Sequence, residues 1–427
     1  MSRIDPLPRQ KIAIIGSGIS GLGSAYLLAQ HHDITLFEKN NYLGGHSRTV
    51  DIKTPEGTIP VDSGFIVFNY QSYPLLASLF SELKVPVVKS EMSFGASIDK
   101  GWLEYGSHPL SSLFAQKRNF LRPQYWRMLA DILRFNRRAH HYLNSDPSLT
   151  MGACLEQLKM GRWFREYYLL AMGAAIWSTP LNKMLTFPAA TFIRFFNNHG
   201  LLSVTDQPQW YTVKGGSREY VKRITASFED RVRLNCGITK VVRDPTGVVL
   251  HDVHGHSERF DAVVFACHAN QALAMIANPR LAERTVLGNV SYQSNRVVMH
   301  SDISFMPKRR KAWSSWVYLS KQRKTGNAEV SLSYWMNNLQ PLLTKKPIIV
   351  TLNPTREPSK HLIYDDYYFE HPVFDQAAIK AQGSIDTIQG QERLWFCGAY
   401  QRYGFHEDGL LSAVNMASKM GVRPSWT

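Results

Sequence analysis

The run CGAYQRYGFHEDGL at 397–410 sets His406, Glu407 and Asp408 in a row, between aromatic rings and an apolar stretch that opens at Gly409. An imidazole beside carboxylates at the lip of a helix can move protons or hold a polar ligand. The same row also reads as a capping loop, with Glu407 and Asp408 near the positive end of a helix. At the other end of the chain, Gly16-Ser17-Gly18-Ile19-Ser20-Gly21 is a GxGxxG. Gly16 permits a tight turn, Gly18 lets backbone approach a pyrophosphate, and Gly21 lets helix pack on strand. Glu38 follows a second apolar run, where a carboxylate accepts from ribose hydroxyls. Gly44-Gly45, then Arg48 and Thr49, suits a longer ligand whose pyrophosphate passes over backbone.

These residues need elements to position them. Lys11 to Ile15 reads as a buried parallel strand, Ser24 to Gln30 as a helix, and Ile34 to Phe37 as the next strand. That is a βαβ unit whose helix N-terminus faces phosphates. Residues 73–205 read as an inserted helical segment, with an arginine-bearing helix over 121–144 and an aromatic run over 163–177 that ends before Pro180. VKGGSREYVKRI (213–224) reads as a turn and a helix, and VRLNCGITKVVRD (232–244) alternates as one strand. RFDAVVFACHANQALAMI (259–276) is a buried strand entering a helix, residues 290–384 supply a second sheet, and RLWFCGAY (393–400) is a last buried strand.

GSGISGLGSAYLLA, FEKNNYLGGHSRT and VDSGFIVFN resemble the FAD-binding front of the flavin amine oxidase and phytoene desaturase superfamily. MSFGASIDKGWLEYGS (92–107), SLFAQKRN (112–119) and the 397–410 run are similar to a bacterial group of NAD/FAD-binding, amine-oxidase-like proteins. They also resemble the N-terminal oxidase-like domain of plant cyclopropane fatty acid synthases. The resemblance implies an α/β fold, a Rossmann-type FAD-binding domain with a discontinuous α+β substrate domain. The FAD domain would take 10–72, 206–276 and 385–423, and the substrate domain 73–205 and 277–384.

It implies FAD contacts from Gly16, Gly18, Ile19, Ser20, Gly21, Glu38, Lys39, Gly44, Gly45, His46, Arg48, Thr49, Gly64, Phe65 and Ile66. Ile238 would touch the adenine end through its backbone, and Cys267, Gly398 and Ala399 would complete the cradle. Gly409, Leu410 and Leu411 would open a helix aimed at the flavin pyrimidine edge, where its dipole stabilises developing negative charge. Tyr400, Tyr403, His406 and Glu407 fall beside the isoalloxazine ring and are the candidate catalytic residues. Two positions depart from the family: Cys267-His268 stands where proline is usual, and Gly398-Ala399 where a Gly-acid pair is frequent.

The activity implied is hydride transfer from a substrate C–H to flavin N5, by a desaturase or dehydrogenase acting on a fatty acyl or phospholipid chain. A flavin amine oxidase is one alternative, although SYQSNRVVMHSD (291–302) lacks the lysine expected near N5. A non-catalytic flavin- and lipid-binding partner of a lipid methyltransferase is another.

Composition bounds the remainder. With 427 residues, two domains are the default. Four scattered cysteines without a CxxC pair argue against a disulfide framework and a structural metal. There is no nucleophile elbow, HExxH or P-loop. The uncharged run at 12–29 contains the nucleotide glycines and is read as such, not as a membrane span. The net charge of +15 suits nucleic acid, an acidic substrate or an anionic membrane. The expected partners are an apolar small molecule and an anionic lipid surface, not nucleic acid. The expected location is the cytoplasm, with peripheral contact at the inner membrane. MPKRRKAWSSWVY (306–318) is the candidate surface: four cations before Trp313, Trp316 and Tyr318.

Overall fold

The computed structural model describes residues 8–146, 148–177, 184–203, 207–321 and 329–426. Pro180 and the expected boundary at 205/206 lie outside them. Five strands form an all-parallel sheet in the order Val232–Arg233, Asp33–Phe37, Lys11–Ile15, Ala262–Phe265, Leu394–Phe396. The two strands nearest the centre are continuous apolar runs, as a sheet covered on both faces requires. One face packs on the helices Ile19–Leu28 and His406–Lys419, with Leu22, Leu27, Leu410 and Met416 buried between them. The other packs on Ala269–Met275 and Leu281–Gly288.

The first helix starts at Ile19, earlier than the expected Ser24. Its glycines serve packing. A Cβ on Gly21 would stand 1.8 Å from Gly16 O, and one on Gly23 would stand 2.8 Å from Leu410. The last helix likewise starts at His406, not Gly409. Asp408 Oδ2 accepts from Phe405 N at 2.9 Å and Tyr403 N at 3.2 Å, which caps the turn earlier than the glycine suggested.

The second sheet has seven strands, in the order Ile363–Pro372, Tyr292–His300, Ile349–Leu352, Glu329–Trp335, Trp316–Lys321, Phe94–Ile98, Leu103–Gly106. The last two correct the reading of 73–205 as helical. All five residues of Phe94–Ile98 are buried, so no polar alternation betrays the strand. Gly95 and Gly106 allow Ser314 to pack close: a Cβ on either would meet Ser314 Oγ within 3.0 Å. Helices including Pro123–Arg138 and Ala189–Asn198 cover this end of the sheet, through Tyr125, Phe135 and Phe192. Val87–Ser90 is a further strand, paired with Trp210–Val213.

The single strand expected over 232–244 is two. Asn235 turns the chain with φ 52°, so Val232–Arg233 stays in the parallel sheet. Ile238–Asp244 joins a separate antiparallel sheet with Gly247–Asp252 and Ser257–Phe260.

Candidate functional site

A cavity of about 420 Å³ runs between the two large sheets. Its nucleotide end is bounded by Gly18, Ile19, Ser20, Gly64, Phe65, Ile66, Cys267, Gly398 and Ala399, with His46, Tyr400, Tyr403 and His406 around it. Thirteen of the residues expected from sequence therefore share one wall, although they come from five separate segments.

The wall is built for close approach by a ligand. Gly18 has no atom within 4 Å of where a Cβ would stand, so the space above the first turn is open. Gly16 needs its glycine: φ is 102°, and a Cβ would sit 2.9 Å from Ala266 O. Glu38 is buried, with Ser17 N donating to it at 3.0 Å and Ser17 Oγ at 2.6 Å, while Asn40 N donates to its second oxygen at 2.9 Å. This fixes the carboxylate at the end of its strand. Gly44 N donates to Ser17 O at 3.0 Å, which brings the glycine doublet onto the phosphate turn.

Asp62 holds the Gly64–Ile66 segment. It accepts from Thr49 Oγ1 at 2.6 Å, Ser217 N at 2.9 Å and Gln340 Nε2 at 2.9 Å. Burial raises its acid to about 6 despite these donors. Thr49 thus braces the cradle and does not line it. Arg48 also lies off the cavity wall, paired with Asp365 at 2.5 Å and stacked on Tyr367. Gly16, Gly21, Glu38, Lys39, Gly44, Gly45, Ile238, Gly409, Leu410 and Leu411 are likewise absent from the wall, and Lys39 is exposed.

His406 lies on Phe65 and reaches Ser47 Oγ at 2.8 Å and Tyr220 OH at 3.3 Å. Burial lowers its pKa to about 3, so the ring is neutral. Glu407 points elsewhere: Leu75 N and Leu76 N each donate to it at 2.9 Å, so it caps the helix Pro74–Glu82. The ring of Tyr400 packs on Gly398, where a Cβ would stand 2.3 Å from it.

The second sheet contributes a group that sequence reasoning passed over. The strand Ile363–Pro372 brings Phe369, Glu370 and His371 to the cavity, opposite His46 and His268. His268 Nδ1 lies 3.2 Å from Glu370 Oε2, and its ring stacks on Tyr292 at 4.4 Å. His46 stacks on Phe369 at 4.6 Å, with His371 5.2 Å away. Burial first, then neighbouring positive groups, lowers His46 and His371 to about 3 and His268 to about 4. The adjacent Glu and His of "FEHP" were the available signal.

Beyond this group the cavity becomes apolar, lined by Met172, Ile176, Phe195, Val297, Trp316, Val350 and Leu352 among others. No lysine or arginine lines it among the described residues. These features fit FAD. The glycine turn leaves open space, and the buried Tyr400 OH and His46 Nε2 have no hydrogen-bond partner within the protein.

The model for the family "flavin containing amine oxidoreductase" matches residues 19–338. Among solved structures, a CLA-producing fatty acid isomerase from P. acnes is similar with a TM-score of 0.68 and 14% identity, over 96% of this chain and 98% of that one. Cyclohexylamine oxidase from Brevibacterium oxydans gives 0.66 and 15%, over 97% and 100%. Reduced UDP-galactopyranose mutase gives 0.65 and 13%, over 96% of each. At these identities the likeness is one of fold. No curated protein matches the chain.

Proposed function

The chain belongs to the flavin containing amine oxidoreductase family, and from that premise we propose that it dehydrogenates an apolar chain, forming a C=C in a fatty acyl group free or on phospholipid. As a member of that family it is an FAD-dependent oxidoreductase. FAD, when bound, supplies the hydride acceptor.

The chain's own residues supply placement and a proton site. With FAD bound, the backbone at Gly18–Ser20, at the start of a helix, would hold the pyrophosphate, and Glu38, fixed by Ser17 at the strand end, would accept from ribose hydroxyls. Met172, Phe195, Val297, Val350 and Leu352 give an acyl chain an apolar berth and exclude water. With FAD bound, one substrate hydrogen would pass to it as hydride, and the carbocation left on the chain, itself a strong acid, would give its neighbouring proton to His268, held 3.2 Å from Glu370, as the C=C forms.

The observation that carries this reading is the long apolar end of the cavity. One fold serves an isomerase, an amine oxidase and a mutase, so fold does not choose the substrate. The amine reading has its own support: Glu370 and the rings of Tyr292 and Phe369 could receive a cation. A non-catalytic partner of a lipid methyltransferase would use the same berth without turnover. Incubation with free fatty acids, phospholipids and amines, followed by mass spectrometry, separates the three. A lipid product lacking two hydrogens supports the proposal. A carbonyl product from an amine, or no product at all, contradicts it. The membrane contact expected from the charge belongs to the same reading; no helix among the described residues is long and apolar enough to cross a membrane.

A further inference from the structure

Two basic segments, far apart in sequence, meet around one apolar projection. The short 3-10 turns Leu110–Phe114 and Lys117–Leu121 lead into the helix Pro123–Arg138. Leu110, Phe120, Leu121 and Trp126 stand out from them, 68%, 51%, 86% and 48% exposed. The projection is braced: Phe120 stacks on Phe114 at 3.9 Å, and Trp126 Nε1 donates to Phe120 O at 2.9 Å.

Trp102 lies beside it and joins the second segment to the first. Arg122 stacks over the Trp102 ring at 4.8 Å and donates to its carbonyl at 3.0 Å; Arg118 donates to the same oxygen. From the other side, Arg309 binds Glu104 at 2.8 Å and reaches the carbonyl of Gly101 at 3.5 Å. Lys117, Arg118, Arg127, Lys308, Arg310 and Lys311 are exposed around this junction. Of the acids near them, Glu104 is buried against Arg309, Asp131 is paired with Arg134, and Glu166 with Arg162.

We propose that this face docks on an anionic lipid bilayer, with Leu121, Phe120 and Trp126 entering the headgroup–acyl boundary and the surrounding cations resting on lipid phosphates. Apolar side chains that project singly from a basic ring suit a fluid interface. The docking tryptophans foreseen in 306–318 are placed otherwise. Trp316 lines the cavity, and Trp313 holds the Arg310 guanidinium at 3.6 Å.

The face also leads to the site. Trp163 and Tyr167 pack on Trp102, with ring centroids 5.2 Å and 6.0 Å away. The residues that follow, Tyr168, Met172 and Ile176, line the cavity. Docking here would present the cavity's helical wall to the lipid. The inference deepens the acyl-chain reading but stands without it, because vesicle binding is measured without turnover.

The test is co-sedimentation of the FAD-loaded protein with phosphatidylcholine vesicles, with and without phosphatidylglycerol, at low and high salt. Wild type should pellet with the anionic vesicles at low salt and be released at high salt. Leu121→Asp should weaken that binding at least tenfold, as should the triple change Lys117→Glu, Lys308→Glu, Lys311→Glu. FAD content and Tm should stay at wild-type values in both. Equal binding by wild type and Leu121→Asp, or equal binding to neutral vesicles, would overturn the proposal. A dimer that Leu121→Asp dissociates would also overturn it and assign the face to a second copy of the chain.

Discussion

His406 lies flat on Phe65, ring centroids 3.9 Å apart and 17° from parallel, so the first turn of the last helix is locked to the loop that bounds the nucleotide end of the cavity. Through Ser47 the same imidazole is tied to the glycine doublet. His406→Ala should cost about 2–4 kcal/mol in urea unfolding, as loss of a buried ring does. His406→Phe keeps the stack and should recover most of that. If the imidazole also serves the flavin, His406→Phe will slow anaerobic flavin reduction more than about tenfold, near 1.4 kcal/mol of barrier. Reduction within about threefold of wild type would leave His406 a structural role only.

The glycines of the first turn separate binding from folding. Gly21→Ala forces a Cβ to within 1.8 Å of Gly16 O and should prevent soluble expression. Gly18→Ala meets nothing in the protein and should fold as wild type in the cofactor-free form. It places a methyl where the pyrophosphate approaches, so FAD affinity should fall at least about tenfold, near 1.4 kcal/mol. Unchanged affinity measured by flavin fluorescence would move the phosphate site elsewhere.

Glu38→Ala should weaken FAD binding by about 1.5–3 kcal/mol, through loss of a charged acceptor. The protein should be yellow with FAD held non-covalently. A colourless preparation that takes up NAD in its place would contradict the assignment.

Glu407 offers the opposite contrast. Its carboxylate receives two backbone N–H groups of the helix Pro74–Glu82. Glu407→Ala should lower stability by about 1–2 kcal/mol, as loss of a cap does, with reduction kinetics little changed. A large kinetic effect with unchanged Tm would return it to the chemistry.

Acid should destabilise the protein early. His46, His371 and His406 are held at about 3, and His199, His268 and His300 at about 4, in each case by burial first. Below the unfolded value of 6.5 the unfolded chain therefore binds more protons, and stability falls with pH. Asp62 and Asp408, raised to about 6 by burial, act in the opposite direction between that value and 3.8. Glu407, also raised by burial, acts with the two aspartates, and six imidazoles outweigh three carboxyls, each unbalanced group amounting to about 1.4 kcal/mol per pH unit. Tm should fall steadily from about pH 7 to about pH 5. A flat or rising Tm would show that these imidazoles are protonated in the folded state.

The nucleotide half was legible because its chemistry is local. Gly16, Gly18, Gly21 and Glu38 act within one βαβ unit, and their spacing is the mechanism. The strand Phe94–Ile98 was hidden because both its faces are buried and its small residues lack alternation. The group of His268, Glu370, His371 and His46 could not be assembled from spacing, since Glu370 and His371 come from the second-sheet strand Ile363–Pro372, while His46 follows the glycine doublet and His268 immediately precedes the helix Ala269–Met275. From sequence, the exposed projection at Leu121 reads as part of an arginine-bearing helix. It is a 3-10 turn ahead of that helix, where apolar residues face outward.

The most direct test of the central claim is the flavin spectrum under anaerobic conditions, with the FAD-loaded protein mixed in turn with fatty acids, phospholipids, carotenoids and amines. Bleaching of the oxidised flavin bands by an acyl lipid, and not by amines, is the result this account predicts. Bleaching by an amine alone, or by none of the panel, would contradict it.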